Sequence, residues 1–187
     1  MPNYSSEKQN EFGDLKRVTP DDIKLMLSNV DNLRDAFIIS LSYLVPVRPI
    51  ELQELHRRDI IDTGNYLQIT LYTAKLQKAN KSFPKQRIVR LKSNTPFIQH
   101  IRAYINTISN PDYPLVSINR QQIWRVIDKS SNGKYCPYNL RHSRINWLME
   151  NDVNLRDILR FKGGTSLKSL QDYYEKHAPI GEGIDLQ

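Results

Sequence analysis

A chain of 187 residues, 39% of them hydrophobic, is long enough to bury a real core and short for two domains, so one globular domain is expected. Its one cysteine, Cys136, excludes an internal disulfide and a cysteine-rich metal site, and no apolar run approaches the roughly 20 residues that cross a bilayer. The formal net charge of +7 points to an anionic partner without naming it.

Residues 1–18 are polar and lack a basic patch followed by an apolar segment. They read as a flexible lead-in to an intracellular protein, not a secretory signal. Thr19 or Asp21 can cap a helix that reaches about Ser28, and apolar residues at helical spacing predict a second helix over 33–44. Pro49, at a first-turn position where its missing N–H costs nothing, opens a short helix through Leu55. The period then changes. Residues 66–73 and 86–91 alternate and are rich in β-branched and aromatic side chains, with lysines filling the connection, which predicts a small antiparallel hairpin. Helical patterning resumes over 96–107, 119–130, 139–150, 154–161 and 166–177. The expected fold is therefore mainly α with a small antiparallel β-sheet, a domain over 19–177 followed by a tail at 178–187.

Charge is unevenly placed along this framework. Residues 63–111 hold no Asp or Glu, yet carry Lys75, Lys78, Lys81, Lys85, Arg87, Arg90, Lys92 and Arg102. The other basic and acidic residues nearly cancel. A concentration of this kind is the footprint expected for a phosphate backbone, with Lys78, Lys81, Lys85, Arg87 and Arg90 as its candidate contacts. A solvated charged face is the plainer alternative.

Three residues conflict with the structural pattern. Arg48 lies between Pro46 and Pro49, at the mouth of a helix whose dipole repels a cation by roughly 0.3–1 kcal/mol. A bound phosphate would resolve the conflict, and so would a pair with Glu51. Arg141 falls at i with Ile145 and Leu148 at i+4 and i+7, so a guanidinium sits on an apolar stripe and needs either a phosphate or a buried partner. Tyr173 is turned about 100° from Tyr174. Tyr174 continues the stripe of Leu167 and Leu170, which leaves Tyr173 to face a cleft or to pack elsewhere.

These positions resemble the tyrosine recombinases, or phage-type integrases, whose catalytic fold is shared in outline with type IB topoisomerases. Val47-Arg48-Pro49-Ile50-Glu51-Leu52 is similar to the family's first arginine box, and Tyr138-Asn139-Leu140-Arg141-His142-Ser143 to the second, usually written His-x-Leu-Arg-His. Counted without gaps from Arg141, the family's Gly-His pair falls on Gly163 and Gly164 and its nucleophilic tyrosine on Tyr173. The resemblance spans residues 19–174. It departs at Tyr138, which replaces a histidine, and at Gly164, which replaces a histidine or tryptophan.

The resemblance implies metal-independent DNA cleavage and rejoining through a 3′-phosphotyrosyl intermediate, with self-association on DNA as a tetramer. It makes Arg48, Lys75, Tyr138, Arg141 and Tyr173 the catalytic residues, with Lys78 or Lys81 as alternatives to Lys75. The chemistry is coherent with the residue types. A phenol of pKa near 10 attacks a phosphodiester only where cations stabilise the developing charge, and a lysine can protonate the leaving 5′ oxygen. Tyr138 retains a hydroxyl that can donate to a phosphate; Gly164 has no side chain to offer. No cofactor, metal or membrane is implied. Two alternatives stay open: a non-catalytic DNA-binding relative, and a topoisomerase-like enzyme that relaxes DNA.

Overall fold

The computed structural model describes residues 16–72 and 86–164, together with Leu170. Helix α1 (Pro20–Ser28) is closed at its start by Thr19, whose hydroxyl accepts from the Asp22 N–H while its own N–H donates to the Asp22 carboxylate. This reciprocal pair satisfies donors that a helix end otherwise leaves open. Asp22 also accepts from Lys134 at 2.8 Å and from the Tyr135 hydroxyl at 2.9 Å. Burial alone would raise its pKa, but these donors and those of Thr19 hold it down at about 2. The start of α1 is thereby tied to the segment that leads into the helix carrying Arg141.

Helix α2 (Leu33–Leu44) runs through the centre of the domain. Asn32 caps it, and Phe37, Ile38, Ile39, Leu41 and Leu44 are all buried, so the helix is apolar almost all round. Burying each such side chain contributes about 1.5–3 kcal/mol. After α3 (Pro49–Gln53) come a 3-10 turn, Arg57–Asp59, and a three-stranded antiparallel sheet of β1 (Ile60–Asp62), β2 (Tyr66–Tyr72) and β3 (Gln86–Lys92) in that order. In the β2–β3 register, Leu67 faces Leu91, Ile69 faces Val89, and Leu71 faces Arg87. The sheet buries one face, so Arg87 points the same way as Val89 and Leu91.

Four further helices complete the described chain: α4 (Ile98–Ile105), α5 (Arg120–Ser130), α6 (Pro137–Glu150) and α7 (Leu155–Lys162). Helices α1, α4, α5 and α6 pack against α2. A smaller cluster of Ile145, Leu148, Ile158 and Leu170 joins α6 to α7. No helix among the described residues is long and apolar enough to cross a membrane.

The sequence expectation of a mainly α domain with a small sheet holds, with local corrections. The hairpin gains a third strand, β1, which at three residues is too short to show a period. Helix α3 ends at Gln53, two residues short of the expected Leu55. Helix α6 starts earlier than expected, with Pro137 in its first turn. Chain expected to be a loose lead-in is already packed at residues 16–18: Val18 is buried and donates to the Ser143 hydroxyl, and the Lys16 carbonyl accepts from Asn139. The helix expected over 166–177 lies outside the described residues except for Leu170, which is buried as its place on the apolar stripe requires.

Candidate active site

Arg48 stands at the entry to α3, and the carboxylate one turn on is its partner. Glu51 accepts from the Arg48 backbone N–H and from its Nη1, both at 2.9 Å. The pairing weighed against an anion site is thus present, yet it does not exhaust the charge. Glu51 also accepts two bonds from Arg87, at 3.1 and 2.9 Å, so among the described residues two guanidiniums share one carboxylate. The Glu51 side chain is fully buried, Arg87 is 9% exposed and Arg48 18%. Burial pushes the Glu51 pKa up; the hydrogen bonds and charge of Arg87, then the charge and backbone N–H of Arg48, outweigh it and hold the carboxyl ionised.

Arg141, on α6, is 4% exposed and lies on the stripe with Ile145 and Leu148 as its spacing requires. It donates to the Pro46 carbonyl and, at 3.0 Å, to the Lys162 carbonyl. The first contact ties it to the chain just ahead of Arg48, the second to the last turn of α7. Arg87 meets that same turn, donating to the Phe161 carbonyl at 3.0 Å. Two successive carbonyls at a helix C-terminus are therefore held by cations from two other elements, where the helix dipole favours them. Gly163 ends α7 with φ +70°, and a Cβ there would lie 2.5 Å from Arg87 Nη1. Glycine is favoured by the left-handed backbone, and a side chain there would displace the Arg87 guanidinium.

Tyr138 sits one turn before Arg141 on α6, which puts the two on neighbouring parts of one face. It is half-buried, and its hydroxyl accepts from Arg120 at 3.5 Å. Lys75, Lys78, Lys81, Lys85 and Tyr173, and Tyr174 beside it, lie outside the described residues. The structure thus brings Arg48, Tyr138 and Arg141 onto elements linked by direct contacts.

Two cations of the acid-free segment are held by carboxylates, and for Arg87 this departs from the expectation. Arg87, assigned to DNA, faces inward and is committed to Glu51 and Phe161. Arg102 is paired with Asp62 at 2.9 and 3.0 Å. Counting charge along the sequence missed these partners because both acids lie ahead of the segment, Asp62 next to it and Glu51 on α3. Arg90 is exposed on the opposite face of β3, above the Tyr66 ring at 5.3 Å and bonded to Gln68 at 3.1 Å. The signal that could have separated Arg87 from Arg90 was the two-residue alternation of β3 itself.

A sequence model of the phage integrase family matches residues 16–179. The chain belongs to the phage integrase family. It is 26% identical over 170 residues to tyrosine recombinase XerA of Pyrococcus horikoshii, covering 84% of this chain and 56% of that protein. This family member therefore spans about half the length of the curated relatives it matches. The fold agrees with solved structures: the XerA recombinase superposes with a TM-score of 0.66 at 18% identity over 96% of this chain and 68% of the other. The XerH site-specific recombinase bound to its difH substrate gives 0.60 at 16% identity, over 88% and 55%. Both support the mainly helical tyrosine-recombinase catalytic fold.

Proposed function

We propose that this chain is the catalytic part of a site-specific DNA recombinase that cleaves and rejoins strands through a 3′-phosphotyrosyl intermediate. The observation that carries the reading is the meeting of three separated segments. Arg141 bonds the chain ahead of Arg48 and the last turn of α7, so two family arginines converge beside the segment that leads on to Tyr173.

In this reading the Tyr173 hydroxyl gives its proton to solvent as its oxygen attacks the scissile phosphorus, the bond to the 5′ oxygen breaks, and Lys75 gives that oxygen a proton that solvent later restores. Arg48, Arg141 and the Tyr138 hydroxyl stabilise the charge on the non-bridging oxygens. The phosphotyrosyl ester keeps the bond energy, so attack by a second 5′ hydroxyl rejoins DNA without ATP. Lys78, Lys81, Lys85 and Arg90 would lie along the DNA backbone. The working assembly would be a tetramer on double-stranded DNA inside the cell.

Gly164 favours a second reading, a DNA-binding relative without chemistry, because it offers no side chain where the family has an imidazole or indole. Trapping on a nicked suicide duplex distinguishes the two. A covalent adduct at a 3′ phosphate supports the recombinase, and binding with no adduct supports the relative. Products from supercoiled plasmid, relaxed circles or joined recombinants, then separate topoisomerase from recombinase chemistry.

A further inference from the structure

The four acceptor positions of Glu51 are filled in a definite way. Oε1 accepts from Arg87 Nη1 and Arg48 Nη1; Oε2 accepts from Arg87 Nη2 and the Arg48 backbone N–H. A carboxylate has about four lone-pair sites, so Glu51 is saturated. Arg87 takes both oxygens in the two-pronged manner that suits a guanidinium, while the Arg48 side chain holds only one. The Nε and Nη2 of Arg48 make no hydrogen bond among the described residues. Arg87 is itself fixed by the Phe161 carbonyl and by the bare Cα of Gly163.

We propose that Arg87 is a positioning residue for Arg48: by occupying both oxygens of Glu51 it prevents a closed two-bond Arg48–Glu51 pair and leaves donors of Arg48 directed at a phosphate. This rests on the recombinase reading above. Without Arg87, a fully buried carboxylate would have two empty acceptor sites, and the nearest donor to fill them is the second arm of Arg48. The guanidinium would turn inward and its charge would be cancelled by Glu51 alone. Arg87 thus lets one acid hold Arg48 in place without consuming it.

The test uses the full chain and a nicked duplex enriched from a random library by its binding to the protein. Arg87→Met should slow adduct formation at saturating DNA by about 10- to 100-fold, with affinity for the phosphodiester duplex falling only by the few-fold that one phosphate contact supplies. Arg87→Lys, which can give Glu51 one bond, should recover part of the rate. The double variant Glu51→Gln/Arg87→Met should be no slower than the slower single variant, because both act through one pair. If Arg87→Met does not fold, Arg87→Lys carries the test, its rate falling more than its DNA affinity. Parallel loss of affinity and rate would make Arg87 a DNA contact and overturn the proposal, as would multiplicative effects in the double variant.

A binding measurement separates this proposal from the reading beneath it. Replacing the scissile phosphate with neutral methylphosphonate should weaken wild-type binding, and should matter less to Arg87→Met. If wild type distinguishes the two duplexes and the variant does so equally, the positioning role fails alone. If wild type forms no adduct and binds both equally, the recombinase reading fails and this inference with it.

Discussion

The Arg141 guanidinium donates to the Lys162 backbone carbonyl at 3.0 Å, joining α6 to the end of α7. The contact gives Arg141 a structural duty that Arg48, at 18% exposure, does not share. Arg48→Ala should therefore lower adduct formation by about 100-fold or more while the fold and DNA binding persist. Arg141→Ala should lose cleavage and also about 3 kcal/mol of stability, since it strips hydrogen bonds from buried carbonyls and opens a cavity. Thermal melts beside the trapping assay separate the two variants; equal melting points would refute the structural duty.

Tyr173→Phe should abolish the covalent adduct with little change in melting or DNA affinity, because one hydroxyl is lost. Tyr174→Phe should keep it. Denaturing gels of the protein–DNA adduct read this directly, and the opposite pattern would shift the register by one residue.

The basic segment gives a prediction with an internal control. Replacing Lys78, Lys81 and Lys85 together should reduce the slope of log affinity against log salt by about 2–3, near 0.9 for each lost phosphate contact. Arg102→Ala should leave that slope unchanged, since Asp62 already holds Arg102. A salt titration of duplex binding checks both halves, and an equal effect of the two substitutions would sink the distinction.

Acid stability should depend on Asp22. Its folded pKa, about 2, lies below the unfolded value near 3.9. The stabilisation is therefore complete above about pH 4 and is lost as pH falls through about 2. With Lys134 half in water the contribution is about 1–2 kcal/mol. Asp22→Asn should lower the melting temperature near neutrality and flatten its decline between pH 4 and 2, measured by circular dichroism.

Much of this was legible in the sequence because it was written in local pattern. Helix α2 and strands β2 and β3 have periods that any reader of 33–44 or 66–91 can see. Arg141 was marked by a charge on an apolar stripe, and the structure buries it there. What escaped was relational. The Arg48–Glu51 contact is local and follows from spacing, but neither the pairing of Asp62 with Arg102 nor the second hold of Arg87 on Glu51 does, because each joins residues brought together only by the tertiary fold. Gly163 was noticed for its place in a family motif, whereas its left-handed backbone and its contact with Arg87 belong to the folded chain.

The sharing of Glu51 constrains how this trio can change over evolutionary time. Loss of Arg87 first leaves an acid and a base still matched. Loss of Glu51 first leaves two cations close together with no carboxylate between them. Lineages can therefore pass through one order of substitution and are barred from the other, so an integrase-family chain that lacks the acid should already lack the strand arginine.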